Sequence, residues 1–301
     1  MKEITVIGSI SMDLVTTTKQ IPESGETVFG EKFTMVPGGK GANQAVAISK
    51  LAAGEVALLG AVGEDAFGKD LISNLKNNLV FSDNVGTVPY PTGISQITIY
   101  DNDNRIVIVP GANNKVDTTN WAKEWEIIKN SRLVILQNEI PHKVNMKIAK
   151  FCKKHKIQLL YNPAPARKTD LEMLDFVDYI TPNEHEFKDI FPNKSLEEGL
   201  KSYPNKLIIT LGVKGVAFYD GTKIQHVSAI PADVVDTTGA GDTFNGAFGF
   251  AITRALSIKE AIEFAVIASH LSVQKFGAQG GMPTLREIKE HYKYEKKWNL
   301  K

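Results

Sequence analysis

Asp242 stands among closely spaced glycines in the run Asp236-Thr237-Thr238-Gly239-Ala240-Gly241-Asp242-Thr243-Phe244-Asn245-Gly246. Gly239 and Gly241 open what reads as a helix running on through Ala247 and Phe250. Small residues there leave backbone N–H groups bare at the positive end of the helix dipole, which suits an anion. A carboxylate in that first turn has a bland explanation, since it meets the dipole favourably. Beside a phosphate cradle it is also placed to take a proton from a hydroxyl that attacks the phosphate. The glycines on either side favour the second reading. A further cluster, Gly38-Gly39-Lys40-Gly41-Ala42-Asn43-Gln44-Ala45, also opens a helix. A tight turn capped by Asn43 would explain part of it. Three glycines in four residues exceed what a turn needs and let a ligand approach the backbone closely. Lys40 and Asn43 could then hydrogen-bond a polyhydroxylated ligand.

Asp13 follows the first predicted strand, and its two acceptor oxygens match a pair of vicinal hydroxyls. Its bland reading is a turn residue. Glu139 has the same standing at the end of an apolar run over 133–137. Other signals are weaker. Gly63 to Lys69 has the spacing of a phosphate-binding loop, but Asp70 stands where Ser or Thr must hold magnesium, so a strand-to-helix turn is expected. No G-x-G-x-x-G follows the first strand. The six histidines show no ligand spacing, and His185 reads as polar surface. Trp121, Trp125 and Ile128 have helical spacing and read as packing. The single cysteine, Cys152, excludes an internal disulfide framework or a multi-cysteine metal site.

The elements that must position these residues alternate. Strands are expected at 4–8, 56–61, 133–136, 158–161, 179–181 and 207–211. Helices are expected at 38–51, 67–79, 117–129, 142–155, 195–202, 240–254, 258–275 and 284–297. This implies an α/β fold: a doubly wound, mostly parallel sheet flanked by helices. Two β-rich stretches break the alternation, at 10–36 and at 93–109, the second a hairpin turning at Asp101-Asn102-Asp103-Asn104. They read as a small sheet protruding from one single domain over 1–301. A second short β excursion spans 216–227. In open α/β sheets ligands sit beyond the C-terminal strand ends, so the loops after the strands matter most.

Composition narrows the function classes. Lys plus Arg total 35 and Asp plus Glu 34, a net charge of +1, which argues against nucleic-acid binding through a basic face and against a polybasic membrane patch. No apolar stretch reaches the length of a membrane-spanning helix, and the N-terminus does not read as a signal peptide. A soluble cytoplasmic protein is expected, and the sequon at Asn193-Lys194-Ser195 reads as chance.

Together these segments resemble the ribokinases of the PfkB-type carbohydrate kinase family, from about residue 3 to residue 290. The resemblance is carried by Gly8-Ser9-Ile10-Ser11-Met12-Asp13, Gly25-Glu26-Thr27-Val28, the glycine-lysine block at 38–45 and Asn162-Pro163-Ala164-Pro165. It continues through Thr181-Pro182-Asn183-Glu184-His185-Glu186, Thr210-Leu211-Gly212, the block at 236–246 and Gly277-Ala278-Gln279. It implies transfer of the ATP γ-phosphate to the 5-hydroxyl of D-ribose, giving D-ribose 5-phosphate and ADP. The stretches at 10–36 and 93–109 would form a β lid over the sugar and the contact of a homodimer.

Residue roles follow from the same resemblance. Asp242 is the expected base, and the backbone amides of Gly239, Ala240, Gly241 and Asp242 the expected anion hole. Ser11, Asp13, Gly39, Lys40, Gly41, Ala42, Asn43 and Glu139 would line the sugar. Asn183, Thr210, Leu211, Gly212, Val213, Lys214, Gly215 and Gly241 would line ATP. Glu186 would organise magnesium (Mg2+) through water. Asp236, Thr238, Ser272, Lys275, Gly277 and Gly281 would bind a monovalent cation, mostly through carbonyls, implying potassium (K+) activation. Two positions depart from the pattern. Val266 replaces a polar residue that some ribokinases place near the nucleotide. Ser11 stands where ribokinases usually carry Asn and deoxyribokinases an apolar residue. That leaves 2-deoxyribose, or another sugar or nucleoside, as the alternative acceptor. A sugar sensor without catalysis is disfavoured by the intact Asp242, Asn183 and Glu186.

Overall fold

The computed structural model describes residues 3–101 and 103–300; Asn102, in the predicted hairpin turn, lies outside the described residues. The chain opens with β1 (Ile4–Ile7), pairs β2 (Ser11–Thr18) with β3 (Gly30–Gly38), and enters α1 (Lys40–Leu51). Then come β4 (Val56–Leu59), β5 (Ala61–Gly63), α2 (Ala66–Asn77), β6 (Gly86–Val88), β7 (Gly93–Tyr100) and β8 (Asp103–Val109). The alternating part holds α3 (Lys123–Lys129), β9 (Leu133–Gln137), α4 (His142–His155), β10 (Gln158–Asn162) and β11 (Tyr179–Ile180). It continues with α5 (Glu184–Ile190), α6 (Leu196–Ser202), β12 (Ile208–Thr210), β13 (Val216–Tyr219) and β14 (Ile224–Val227). Three helices close the chain: α7 (Ala240–Thr253), α8 (Ile258–Ser272) and α9 (Leu285–Glu290).

The central sheet runs β11-β10-β9-β1-β4, with every pairing parallel. Single bridges at Ile180–Leu207 and Asn183–Thr210 bring β12 alongside β11, and the antiparallel strands β13 and β14 extend that edge. Alternate residues point to opposite faces. Val6, Leu58, Ile135 and Leu160 join a core with α1, α7 and α8. Their neighbours Ile7, Leu59, Leu136 and Tyr161 join a second core with α4 and α5. Two cores on two faces are why the strands read as unbroken apolar runs. The doubly wound sheet expected from the sequence is the one observed.

The second sheet, β3-β2-β7-β8, is mixed: β2 pairs antiparallel with β3 and parallel with β7. Both cross-chain neighbours of β2 therefore come from stretches that broke the alternation.

Several predicted helices are shorter in the structure. Asp117 accepts the backbone N–H and hydroxyl of Thr119, a turn that delays α3 to Lys123. His291 turns to extended backbone and stops α9 at Glu290; the chain beyond docks Trp298 edge-on to Phe264, 6.0 Å between ring centres. The helix expected over 258–275 ends at Ser272, leaving 273–281 as a loop. The segment from Gly63 to Lys69 is a strand-to-helix turn. Asp65 caps α2 by accepting Gly68 N–H at 2.8 Å, and takes Thr92 N–H at 2.7 Å. Trp121 and Trp125 pack edge-on beside the buried Ile128, and Cys152 is buried and free.

Candidate active site

Asp242 sits in the first turn of α7 and is 7% exposed. Gly239 caps the helix with φ 77°, and a Cβ there would lie 2.8 Å from Ala278 Cα, so both conformation and space require glycine. Asn43 Nδ2 donates to Asp242 Oδ2 at 3.0 Å, and Gln44 Nε2 donates to Oδ1 at 3.0 Å. Burial raises the carboxyl's pKa, opposed first by the Lys40 charge and then by those two amides. The first helical bond runs from Thr243 N–H to Gly239 O at 2.8 Å. Of the four amides expected to form the anion hole, that of Ala240 is given to Thr237 O at 3.2 Å. The donors left for an anion are those of Gly239, Gly241 and Asp242.

The residues predicted to line the sugar gather beside this turn. Gly39 caps α1 at φ 90°, where a Cβ would stand 2.8 Å from Ser11 N and 2.9 Å from Ser9 O. A Cβ on Gly41 would lie 2.6 Å from the Gly8 carbonyl carbon. The glycine block thus lets α1 close onto the end of β1, and Ala42 N–H seals the contact with Ser9 O at 2.9 Å. Asn43 lies inside α1 and does not cap it; its amide is spent on Asp242. Ser11 and Asp13 are neighbours on one face of β2 and both are buried. Burial pushes the Asp13 carboxyl up to about 6, against a hydrogen bond from Ser95 that lowers it. Glu139 accepts Ser9 Oγ and, at 3.0 Å, Lys40 N–H. Burial opposes the charge on Lys40, yet Asp242, Glu139, Glu186 and Asp13 together hold its pKa above the ordinary value. One ammonium therefore serves four acids.

Among the residues predicted to line ATP, the Asn183–Thr210 bridge joins two segments. Asn183 Oδ1 accepts Glu186 N–H and Glu186 Oε2 accepts Asn183 N–H, both at 2.8 Å. The pair forms the capping box of α5, a local reason for the N-x-x-E spacing that the motif reading lacked. Burial raises the Glu186 pKa. Gly212, Val213 and Lys214 form a short turn, closed by Leu211 N–H to Gly215 O at 2.8 Å, with Val213 almost wholly exposed.

The predicted cation residues come together from two chain segments, before α7 and at and after the end of α8. Asp236 takes Thr238 N–H at 2.8 Å and Gly277 N–H at 2.9 Å, tying the strand side of α7 to the loop after α8. A Cβ on Gly281 would lie 2.2 Å from Ser272 O and 3.4 Å from Lys275 O. The Lys275 ammonium is engaged elsewhere, pairing with Glu287 at 2.9 Å. Among the described residues no group of three or more His, Cys, Asp or Glu could hold a metal ion.

Sequence reasoning passed over the polar residues behind the site. Gln44 links Asp242 to Asn162 and Gln137, and Gln279 Nε2 donates to Asn43 Oδ1 at 3.0 Å. Their buried positions, scattered over a helix, two strands and a loop, give no periodic signal. The one hint was a pair of polar side chains, Asn43-Gln44, set between the buried Ala42 and Ala45.

The chain matches the family described as pfkB family carbohydrate kinase over residues 1–285. It is 66% identical to the ribokinase of Lactococcus lactis over 97% of this chain and 98% of that protein. It is 45% identical to the ribokinase of Bacillus subtilis over 96% of this chain and 99% of that protein. The solved structure of Arabidopsis thaliana ribokinase complexed with ribose and ATP superposes with a TM-score of 0.86 at 34% identity, covering 96% of this chain and 98% of that chain.

Proposed function

The chain belongs to the pfkB family of carbohydrate kinases, and from that membership we propose that it transfers the γ-phosphoryl group of ATP to the 5-hydroxyl of D-ribose, giving D-ribose 5-phosphate and ADP. The observation that carries the chemistry is Asp242: a buried carboxylate at the amide end of α7, held by two amide donors and the Lys40 charge.

Asp242 takes the proton as the sugar hydroxyl attacks. The free amides of residues 239, 241 and 242 meet the negative charge that develops on the transferred group. Asp13, Glu139, Lys40 and Asn43 orient the sugar through its other hydroxyls, and Ser11 stands beside Asp13 to read one of them. Asn183 and the turn after β12 flank the nucleotide.

Two cations belong to the reading. Ser272 O and Lys275 O crowd the space that a Gly281 side chain would take, and Asp236 closes the loop, a donor set suited to a monovalent cation such as potassium. Bound there, the cation would brace the loop that carries the anion hole. Glu186 accepts Asn183 N–H with one carboxylate oxygen, and a single carboxylate of this kind fits magnesium held through water and phosphate oxygens. Magnesium supplies charge neutralisation on the phosphates.

The enzyme acts in the cytoplasm, where ATP is found. No helix among the described residues is long and apolar enough to cross a membrane. The exposed apolar strands of the small sheet support a homodimer formed through it.

ADP release measured over a panel of pentoses, hexoses and nucleosides tests the assignment. Ribose is expected to give the highest kcat/KM. Turnover of another sugar with none of ribose overturns it. Deoxyribose remains the second reading because Ser11 occupies the position beside Asp13.

A further inference from the structure

Gln44 and Gln137 are completely buried, and the proposed reaction gives neither a part in binding or chemistry. Gln44 Nε2 lies 3.0 Å from Asp242 Oδ1 and 3.2 Å from Asn162 Oδ1. Gln44 Oε1 accepts Gln137 Nε2 at 2.7 Å. Gln137 Oε1 has no hydrogen-bond partner among the described residues. It lies against Gly8, where a Cβ would come within 1.9 Å of it.

A carboxamide has donors at one end and an acceptor at the other. Gln137 offers an N–H, so Gln44 must answer with its oxygen. Its own N–H groups are then left to face Asp242 and Asn162. Turning Gln44 over would set oxygen against a carboxylate oxygen and nitrogen against nitrogen. Burial makes both mismatches costly. The orientation that remains aims a donor at the carboxylate, and such a donor favours the ionised form.

We propose that Gln44, oriented by Gln137, is a positioning residue for the base: it holds Oδ1 of Asp242 in place and keeps the carboxylate ready to accept a proton. The role rests on the reading of Asp242 as base. Other groups act on the same carboxylate. Lys40 and Asn43 of α1 favour its charge, while Glu139 after β9, Asp13 of β2 and Glu186 of α5 oppose it. Lys40 must offset burial and three like charges, and it is also shared with those acids. Gln44 and Asn43 give Asp242 one uncharged donor on each oxygen, and neither is shared with a competing carboxylate.

The test is the pH dependence of kcat/KM. Gln44→Met keeps the length of the side chain and loses both donors. Its acid limb is expected to move up by about one pH unit, an extra loss of about tenfold below the limb, with the rate recovering at high pH. Gln137→Leu removes the donor that answers the Gln44 oxygen, loosens Gln44, and moves the limb the same way by less. A merely structural role would lower the melting temperature and slow the reaction equally at every pH. If Gln44→Met does not fold, Gln137→Leu decides alone. An acid limb within about 0.2 pH unit of wild type in the folded variants overturns the proposal. Asp242→Asn separates the two failures. If it stays active, the base is wrongly assigned; if it is inactive and the limb of the Gln44 variant has not moved, only the role of Gln44 falls.

Discussion

Asn43 and Asp242 stand 3.0 Å apart and join the first turns of two helices that begin 200 residues apart in the chain, at Lys40 and Ala240. The contact is made possible one turn further along. A Cβ on Gly246 would lie 2.8 Å from Ala47 Cβ, so glycine lets α1 and α7 close together. The two helix N-termini then meet, with the proposed sugar contact and the proposed base in direct contact.

Asp242→Asn keeps the shape and removes the base. We expect kcat to fall by about 10³-fold while the ribose dissociation constant stays within about threefold. Steady-state ADP release and calorimetric ribose binding check the two halves. Activity within tenfold of wild type would remove Asp242 from the mechanism.

Asp13 is the clearest pH sensor. Its carboxyl is pushed up to about 6, chiefly by burial, from an ordinary value near 3.8. Below about 6 it carries a proton and loses an acceptor for a sugar hydroxyl, so ribose affinity is expected to fall as pH drops from 7.5 to 5. Asp13→Asn should weaken ribose binding at pH 7.5 and flatten that dependence. Stability moves the other way. The folded state holds this proton more tightly than the unfolded chain, so the group costs stability as pH rises from about 4 to 6. Unliganded Asp13→Asn should therefore melt higher than wild type at pH 7.5. A lower melting temperature would contradict that account.

Much of this was legible in the sequence because it rests on short-range rules. Apolar runs marked β1, β4, β9 and β10, the first two ending at glycine, and the two glycine blocks marked the two helix N-termini of the site. The two stretches that broke the alternation were visible as misfits, although the parallel pairing of β2 with β7 depends on partners 82 positions apart in the chain, Ser11 with Gly93. What stayed hidden is long-range and polar. Gln44, Gln137, Asn162 and Gln279 matter through which amide end meets which partner, and no spacing encodes that. Asn183 and Glu186 were legible as a motif, yet their capping box shows that a helix start alone would favour the same two residue types.

Ser11→Asn tests the acceptor. Ser11 is buried next to Asp13 but has a shorter reach than asparagine. A longer amide there could hold the ribose 2-hydroxyl directly, and losing one such bond costs about 1–3 kcal/mol. The ratio of kcat/KM for ribose over 2-deoxyribose should rise by about tenfold in the variant. An unchanged ratio would mean that position 11 does not read that hydroxyl.

Asp236 tests the cation loop. Its carboxylate accepts N–H groups from Thr238 and Gly277 and so ties together the two chain segments that flank the proposed cation position. Asp236→Ala should raise the potassium concentration for half-maximal activation by about tenfold or more, with ribose binding little changed. Titrations of activity with potassium and sodium chloride at constant ionic strength would show it. A wild-type enzyme indifferent to potassium would sink the cation assignment itself.

The edge strand β8 tests the assembly. Ile106, Val107, Ile108 and Val109 are each about half exposed or more, as are Phe33 and Met35 on β3 at the opposite edge of the same sheet. An apolar edge strand left open invites pairing, and proteins that keep one usually cover it. A second copy of the chain would meet this sheet with matching chemistry, and the pairing would also hold the sheet over the proposed sugar position. Light scattering should give twice the 33.1 kDa chain mass for the wild type. Val107→Asp puts a charge on the most exposed of the four and should yield monomers with a raised ribose KM. A monomeric wild type with full activity would show that the sheet closes without a partner.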